Sequence, residues 1–174
     1  MHRRMFMTTV GLAMLGAVAF AQDVTYDFDR AANFASYHSY AWVRGTELAD
    51  ELNHKRIVNA VDTQLAGKGL SRVAANGEPD LLVAYHAAFD SNLQITGMSA
   101  GPYRFGGGSA RVEPIVTGAL AVELIDARTG SIVWRGIATK ELDPDVTPEK
   151  REKNIARGTE KLFKNYPPKQ KQMP

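Results

Sequence analysis

Two runs of alternating apolar residues, joined by a single turn, constrain the fold of this chain more than any other feature. Residues 118–125 read GALAVELI and residues 131–140 read SIVWRGIATK, and the five residues DARTG separate them. A four-residue loop built around a type I turn, with Gly130 in the left-handed conformation, would connect the two runs. The pattern therefore predicts an antiparallel β-hairpin.

The same turn predicts a register and, with it, the face of the hairpin that packs in the core. The predicted register pairs three sets of residues on an aliphatic face: Leu124 with Val133, Val122 with Arg135, and Leu120 with Ile137. It places Glu123 opposite Trp134 on the other face. A slip of one residue would exchange the two faces, because successive side chains of a strand point to opposite sides of the sheet.

Arg135 is the charged residue on the predicted aliphatic face. An unpaired guanidinium in that position would be costly. We expect its side chain either to extend past Val122 to the sheet edge or to pair with an acid. Both are structural roles, which we favour over ligand binding.

The first 21 residues have the pattern of a secretory signal peptide. Two arginines precede an uncharged run of about 16 residues, and Ala19-Phe20-Ala21 provides small residues before a cleavage site at Gln22. The alternative is a membrane anchor, but a span needs about 20 apolar residues. We therefore expect residues 1–21 to be removed, residues 22–168 to form one periplasmic domain, and residues 169–174 to be a flexible tail.

Charge and cysteine content exclude several function classes. The chain has 21 basic and 19 acidic residues, and loss of Arg3 and Arg4 with the leader would leave 19 of each. A neutral domain offers no basic surface for nucleic acid. With no cysteine in the chain, disulfides, cysteine nucleophiles, cysteine-bound zinc and a lipid-bearing cysteine are all excluded.

The remaining patterns predict an α+β fold. Alternation predicts strands at 24–28, 39–43, 70–74 and 80–90, the last with its odd-numbered residues facing the core. Helical spacing predicts one helix over 47–68, capped by Thr46, and another that begins at Thr147-Pro148. Residues 97–108 contain five glycines and a proline and predict a loop. This order favours a mainly antiparallel sheet of about six strands with two helices packed on one face.

Four segments together resemble one bacterial cell-envelope family, labelled domain of unknown function four-one-three-six. They are YDFDRAANFASYHSYAWV (26–43), EPDLLVAYH (78–86), TGALAVELIDARTGSIVWRG (117–136) and PEKREKNIARGTEKLFKNYPP (148–168). The resemblance implies an exported domain and supplies no activity. This chain lacks the lipobox cysteine of many members, which implies a soluble form. Its glycine-rich segment carries Tyr103 and Phe105 where other members have tryptophans.

Candidate catalytic and metal-binding residues lack convincing partners in the sequence. His86 and Asp90 share a strand face about 13 Å apart, too far for one metal ion, and His54 is expected to be solvated. Asp27 and Asp29 could form an acid pair on one strand face. A polar strand face, with a turn-forming aspartate before Arg30, is the favoured interpretation. Gly106-Gly107-Gly108 lacks the lysine and helix of a phosphate-binding loop. We therefore expect no metal site, no cofactor and no catalytic residues.

The sequence favours a non-catalytic binding domain of unassigned activity. Tyr103 and Phe105 are the candidate contact residues, and we expect a monomer whose partner is an envelope protein or a small ligand. One alternative is a hydrolase-type enzyme with a site assembled across several elements. Another is a carrier of a small apolar ligand, which would require a continuous cavity of a few hundred Å³ between sheet and helices.

Overall fold

The structure, a computed structural model, describes residues 23–74, 76–96, 111–143 and 145–169. Of residues 91–96 and 111–115 it describes the backbone. These ranges contain six strands, two α-helices and one short 3-10 turn at Phe34–Ser36. The strands are β1 (Asp23–Phe28), β2 (Ser39–Trp42), β3 (Ser71–Arg72), β4 (Leu81–Thr96), β5 (Arg111–Asp126) and β6 (Ile132–Leu142), and the helices are α1 (Glu51–Gly67) and α2 (Pro148–Phe163).

The six strands form one sheet in the order β1-β6-β5-β4-β2-β3. The pairs β1–β6, β6–β5 and β5–β4 are antiparallel, whereas β2 runs parallel to both β4 and β3. The predicted α+β class and the mainly antiparallel sheet are therefore confirmed. Strands β4 and β5 are longer than predicted, and they pair over sixteen residues from Leu81 opposite Asp126 to Thr96 opposite Arg111.

The predicted register of the β5–β6 hairpin is wrong by one residue. Leu124 lies opposite Trp134, and Glu123 lies opposite Arg135. The turn itself is as predicted, with Gly130 at a φ of 69°. The cause of the shift is a β-bulge between Leu124 and Ile125, which leaves Val133 as an extra residue on β6. A turn pattern in the sequence does not reveal a bulge two residues away.

The bulge exchanges the environments of Trp134 and Arg135. Trp134, predicted on the outer face, is 0% exposed and belongs to the core. Arg135, predicted on the aliphatic face, lies on the open face of the sheet, where its Nη2 is 2.6 Å from Oε1 of Glu123. Arg135 therefore pairs with an acid, which was one of its two expected roles. The pair lies on the opposite face of the sheet from the predicted one.

The helices begin and end where local chemistry satisfies their terminal groups. In α1 the N-cap is Asp50, whose Oδ1 accepts hydrogen bonds from the N–H groups of Leu52 and Asn53, so the prediction of Thr46 is wrong by four residues. In α2 the predicted cap is confirmed, because Oγ1 of Thr147 accepts from the N–H of Lys150. Among the described residues, neither helix has the length and hydropathy of a membrane span.

Both helices pack on one face of the sheet and bury its aromatic core. Trp134 stacks on Phe163 of α2 with ring centroids 5.0 Å apart, and Tyr166 meets Trp134 edge-on at 5.6 Å. The face of α1 that contributes Ile57, Val61 and Leu65 is buried against the same side. The open face of the sheet carries the alternate residues of each strand.

Two glycines in the described residues are expected to respond in opposite ways to alanine. A Cβ at Gly45 would lie 2.0 Å from the backbone O of Tyr85, so Gly45→Ala requires backbone movement and should cost at least about 2 kcal/mol. Gly67, at the end of α1, has open space around that position. Gly67→Ala should therefore stabilise by about 0.5–1 kcal/mol. Urea unfolding of the two variants checks this, and a neutral Gly45→Ala would contradict the close approach.

Candidate functional site

A cavity of about 680 Å³ lies between the sheet and the N-terminal halves of the two helices. Its floor is the core face of three adjacent strands, β4, β5 and β6. Its volume lies within the range of about 300–1,000 Å³ found for small-molecule sites. This makes the cavity the first candidate for a functional site among the described residues.

The cavity exists because large side chains give way to small ones along the strands. One cross-strand row consists of Val83, Leu124 and Trp134. The indole ring of Trp134 fills the space between this row and the helices. Two cross-strand rows further on, the corresponding residues are Ala87, Leu120 and Ala138. These three line the cavity, and they leave volume that no helix side chain fills.

The next row carries a charge beside the apolar floor. Phe89 lies opposite Gly118, which lies opposite Lys140, and all three line the cavity. Gly118 has no side chain there, and a Cβ at that position would come within 2.7 Å of Leu142. Phe89 is 59% exposed, so the odd-numbered face of β4 leaves the core at this row.

The roof of the cavity is formed by one face of each helix. From α1 it takes Asn53 and Ile57. From α2 it takes residues at i, i+3, i+4 and i+7, which share one face of a helix: Arg151, Asn154, Ile155 and Gly158. The floor and roof are therefore mainly apolar, with polar groups near the start of α2.

Three cations lie at that polar end. Lys150 is 3.8 Å from Oδ2 of Asp143. The side chains of Lys140 and Arg151 line the cavity, and within the part of the chain that the structure describes neither makes an ion pair or hydrogen bond. Glu141 also lines this end and is exposed. The cationic end of the cavity, defined by Lys140, Lys150 and Arg151, thus contains two cations for which the described residues provide no partner.

A buried tyrosine connects the start of the first helix to the sheet beside the cavity. The backbone N–H of Leu48 donates to the hydroxyl of Tyr85 at 3.3 Å, and that hydroxyl lies 2.7 Å from Nδ1 of His54. The Tyr85 hydroxyl therefore accepts from Leu48 and shares a second hydrogen bond with His54, whose direction follows from the imidazole tautomer. The expectation that His54 is solvated is therefore wrong. Burial raises the pKa of Tyr85, so this hydroxyl keeps its proton at neutral pH.

The open face of the sheet carries a row of charged and polar groups. Glu123 lies between Arg135 and His86, whose Nε2 is 3.6 Å from Oε2 of Glu123. The N–H of Thr46 donates to Nδ1 of His86 at 3.1 Å, which leaves that nitrogen no free lone pair for proton abstraction. This row is therefore best explained as cross-strand pairing.

The acidic pair considered in the sequence is occupied by local backbone contacts. Oδ1 of Asp27 accepts from the N–H of Phe28, and Oδ1 of Asp29 accepts from the N–H of Ala31. Asp29 also lies beyond the end of β1, in a turn. Within the described ranges, no group of three or more His, Asp or Glu side chains could hold a metal ion.

The sequence did not identify the residues that form the cavity. The predicted contact residues, Tyr103 and Phe105, lie outside the described residues. The available signal was the set of small residues at core-facing positions of neighbouring strands, which include Ala87, Gly118 and Ala138. Only the correct register of β5 and β6 shows that these small residues lie side by side.

Solved structures share this fold at low sequence identity. A DUF4136 family protein from Bacteroides thetaiotaomicron is 14% identical, with a TM-score of 0.52, over 84% of this chain and 96% of that one. The PelC dodecamer from Paraburkholderia phytofirmans is 10% identical, with a TM-score of 0.51, over 82% and 95%. A PDZ domain protein from Parabacteroides distasonis is 17% identical, with a TM-score of 0.55, over 86% of this chain but 37% of that protein. At these identities the likeness shows the fold alone.

Sequence comparison gives the family. No curated protein matches the chain. The family model described as Domain of unknown function (DUF4136) matches residues 24–168, from β1 to beyond the end of α2. This is the family that the opening strands, the β5–β6 hairpin and the closing helix resemble. The chain belongs to the DUF4136 family of domains of unknown function.

Proposed function

We propose that this chain is a non-catalytic binding domain that holds a small apolar ligand between its sheet and its helices. The cavity of about 680 Å³ is the observation that carries the proposal. Its floor consists of Ala87, Leu120 and Ala138, and Ile57 and Ile155 lie in its roof. The continuous space that an apolar-ligand carrier requires is thus available within one chain.

Filling such a cavity is favourable for a physical reason. Transfer of an alkyl group from water to an apolar site contributes about 0.8 kcal/mol for each buried CH₂. The apolar floor offers no side-chain hydrogen-bonding partner to water, so the alkyl part of a ligand has little ordered water to displace there. The described residues that line the cavity include no arranged nucleophile and base, which favours binding over hydrolysis.

The test uses an uncharged dye whose fluorescence rises in apolar surroundings, such as N-phenyl-naphthylamine. Ala87→Phe places a ring in the cavity and should weaken dye binding at least about tenfold. Ala88→Phe is the matched control, because Ala88 is the next residue of β4, is exposed and faces the other side of the sheet. That variant should bind within about twofold of the wild type.

The outcomes separate a cavity from a surface site. Loss of binding in Ala87→Phe alone, with cooperative unfolding retained, supports the proposal. Equal loss in both variants would place the dye on the surface of the sheet, and a wild-type protein that binds no dye would contradict the proposal directly.

We further propose that the domain acts in the cell envelope after removal of residues 1–21. The basic start, the apolar run and Ala19-Phe20-Ala21 support this. N-terminal sequencing of exported protein should find Gln22 first, and an intact Met1 in that material would contradict it.

The predicted contact residues of the glycine-rich segment are a separate candidate for binding a partner. We propose that Tyr103 and Phe105 contact an envelope protein, because aromatic side chains dominate many interfaces. A Tyr103→Ser/Phe105→Ser variant should lose that partner in a pull-down while it retains the dye. Unchanged capture would assign the contact to another surface.

We also propose that the ligand is bound by a monomer, since one chain supplies both the floor and the roof of the cavity. PelC, which shares the fold, is a dodecamer. Light scattering at micromolar concentration distinguishes the two states, and a stable oligomer would contradict the proposal.

A further inference from the structure

We propose that the ligand is an amphiphile with one alkyl chain and an anionic head group, with the head held by Lys140 and Arg151 and the chain lying over Ala87, Leu120 and Ala138. This inference rests on the proposed function, because it assigns a ligand class to the same cavity. It adds a specificity that an apolar cavity alone does not have.

Two cations that line the cavity have no partner among the described residues. Lys150 has Asp143 at 3.8 Å, but Lys140 and Arg151 have no ion pair within the described residues. Both are half-buried, so their desolvation is not repaid by a protein carboxylate. A carboxylate or phosphate head group would supply the missing charge.

The electrostatic potential at this end of the cavity is positive. Burial lowers the pKa of Lys140, and neighbouring cations lower it further: Lys150, Lys161 and Arg157. Lys150 and Arg151 also lie in the first turn of α2, where the helix dipole disfavours positive charge. Of the acids nearby, Glu141 and Glu149 are exposed and Asp143 is the partner of Lys150. The charges together favour an anion.

The charged end of the cavity and its apolar floor are continuous. Lys140 is two residues from Ala138 on β6, and alternation in a strand places both on the same face. Arg151 and Ile155 are one helical turn apart on the same face of α2. A head group bound at Lys140 and Arg151 therefore places its chain along the small-residue rows, where α1 covers it.

The experiment compares four compounds with the same alkyl chain and different heads, each kept below its micelle concentration or its solubility limit. Dodecanoate, dodecanol and dodecylamine are each titrated into the full chain by calorimetry, with dodecyl phosphate as a second anion. We expect either anion to bind about tenfold more tightly than dodecanol, with dodecylamine the weakest. Inorganic phosphate alone should not compete, because it has no chain to bury.

The variants assign the preference to the named cations. Lys140→Met keeps the apolar stem and should reduce the ratio of the affinity for dodecanoate to that for dodecanol to about threefold or less. Arg151→Gln should reduce the same ratio, and it replaces Lys140→Met if that variant does not fold. Lys153→Met is the matched control, since Lys153 lies on α2, is exposed and does not line the cavity. It should leave the ratio unchanged.

The two proposals fail in different ways. If dodecanol binds as tightly as dodecanoate, or dodecylamine binds more tightly, the cavity holds a ligand but the anionic class is wrong. If the preference for anions is the same in Lys140→Met and Arg151→Gln as in the wild type, the assigned cations are wrong. If none of the compounds binds, the proposed function itself fails.

Discussion

Replacement of Trp134 by alanine is expected to destabilise the domain by about 3–5 kcal/mol, the range for truncation of a large buried aromatic residue. Trp134 is 0% exposed, stacks on Phe163 and contacts Tyr166 edge-on. Its removal would open a void in the filled part of the core, two cross-strand rows from the cavity floor. We expect few neighbours to move into that void, because Phe163 and Tyr166 are held by α2 and the segment after it.

Chemical denaturation of Trp134→Ala and of a matched control measures the loss of stability and tests the observed register. Ile137 lies on the same strand, is 37% exposed and faces the open side of the sheet. Ile137→Ala should cost under about 1 kcal/mol. A larger loss for Ile137→Ala than for Trp134→Ala would mean that the unshifted register is correct and that the bulge at Leu124 and Ile125 is absent.

Replacement of Asp126 by alanine is expected to cost about 2–4 kcal/mol, because one buried carboxylate holds three donors. Oδ1 accepts from the backbone N–H groups of Arg128 and Thr129, and Oδ2 accepts from the hydroxyl of Tyr37 at 3.0 Å. The first two hydrogen bonds shape the β5–β6 turn, and the third ties that turn to the segment before β2. Glu160→Gln, at an exposed position of α2, should be neutral.

The same carboxylate predicts how stability changes in acid. Burial by itself would raise the pKa of Asp126, but hydrogen bonds, the strongest from the N–H of Thr129, hold its pKa below the ordinary value. Its contribution is therefore complete above the unfolded pKa of about 3.9 and is lost as the pH falls through the lower folded value. Unfolding between pH 3 and 6 should show a shallower pH dependence for Asp126→Ala than for the wild type. Parallel curves would contradict this role.

Local patterns were sufficient to predict most of the elements. Thr147-Pro148 specified the start of α2, and the alternation after Leu81 specified β4. Non-local features were not predictable in the same way. The shift of Trp134 into the core depends on one extra residue in β6, and no propensity distinguishes a strand with a bulge from one without it.

The candidate site was harder to predict for the same reason. Ala87 and Ala138 come from separate strands, and only the observed pairing through Leu120 brings them into one row. The cavity is the space above that row that no side chain fills. Its size depends on how far β4 and β5 extend and on where the helices lie. For Arg135 the chemistry was predictable and the position was not. Pairing with an acid was one of its two expected roles, but the ion pair with Glu123 lies on the opposite face of the sheet from the predicted one.

The most direct test of the account is a titration of dodecanoate into protein labelled with ¹³C at the alanine methyl groups. Ala87 and Ala138 line the cavity, whereas Ala84 and Ala88 lie on the other face of β4. The account predicts that the methyl resonances of Ala87 and Ala138 shift together and saturate at one ligand per chain, while those of Ala84 and Ala88 stay in place. A shift of exposed Ala88 without shifts of Ala87 and Ala138 would place the ligand on the open face and contradict the central claim.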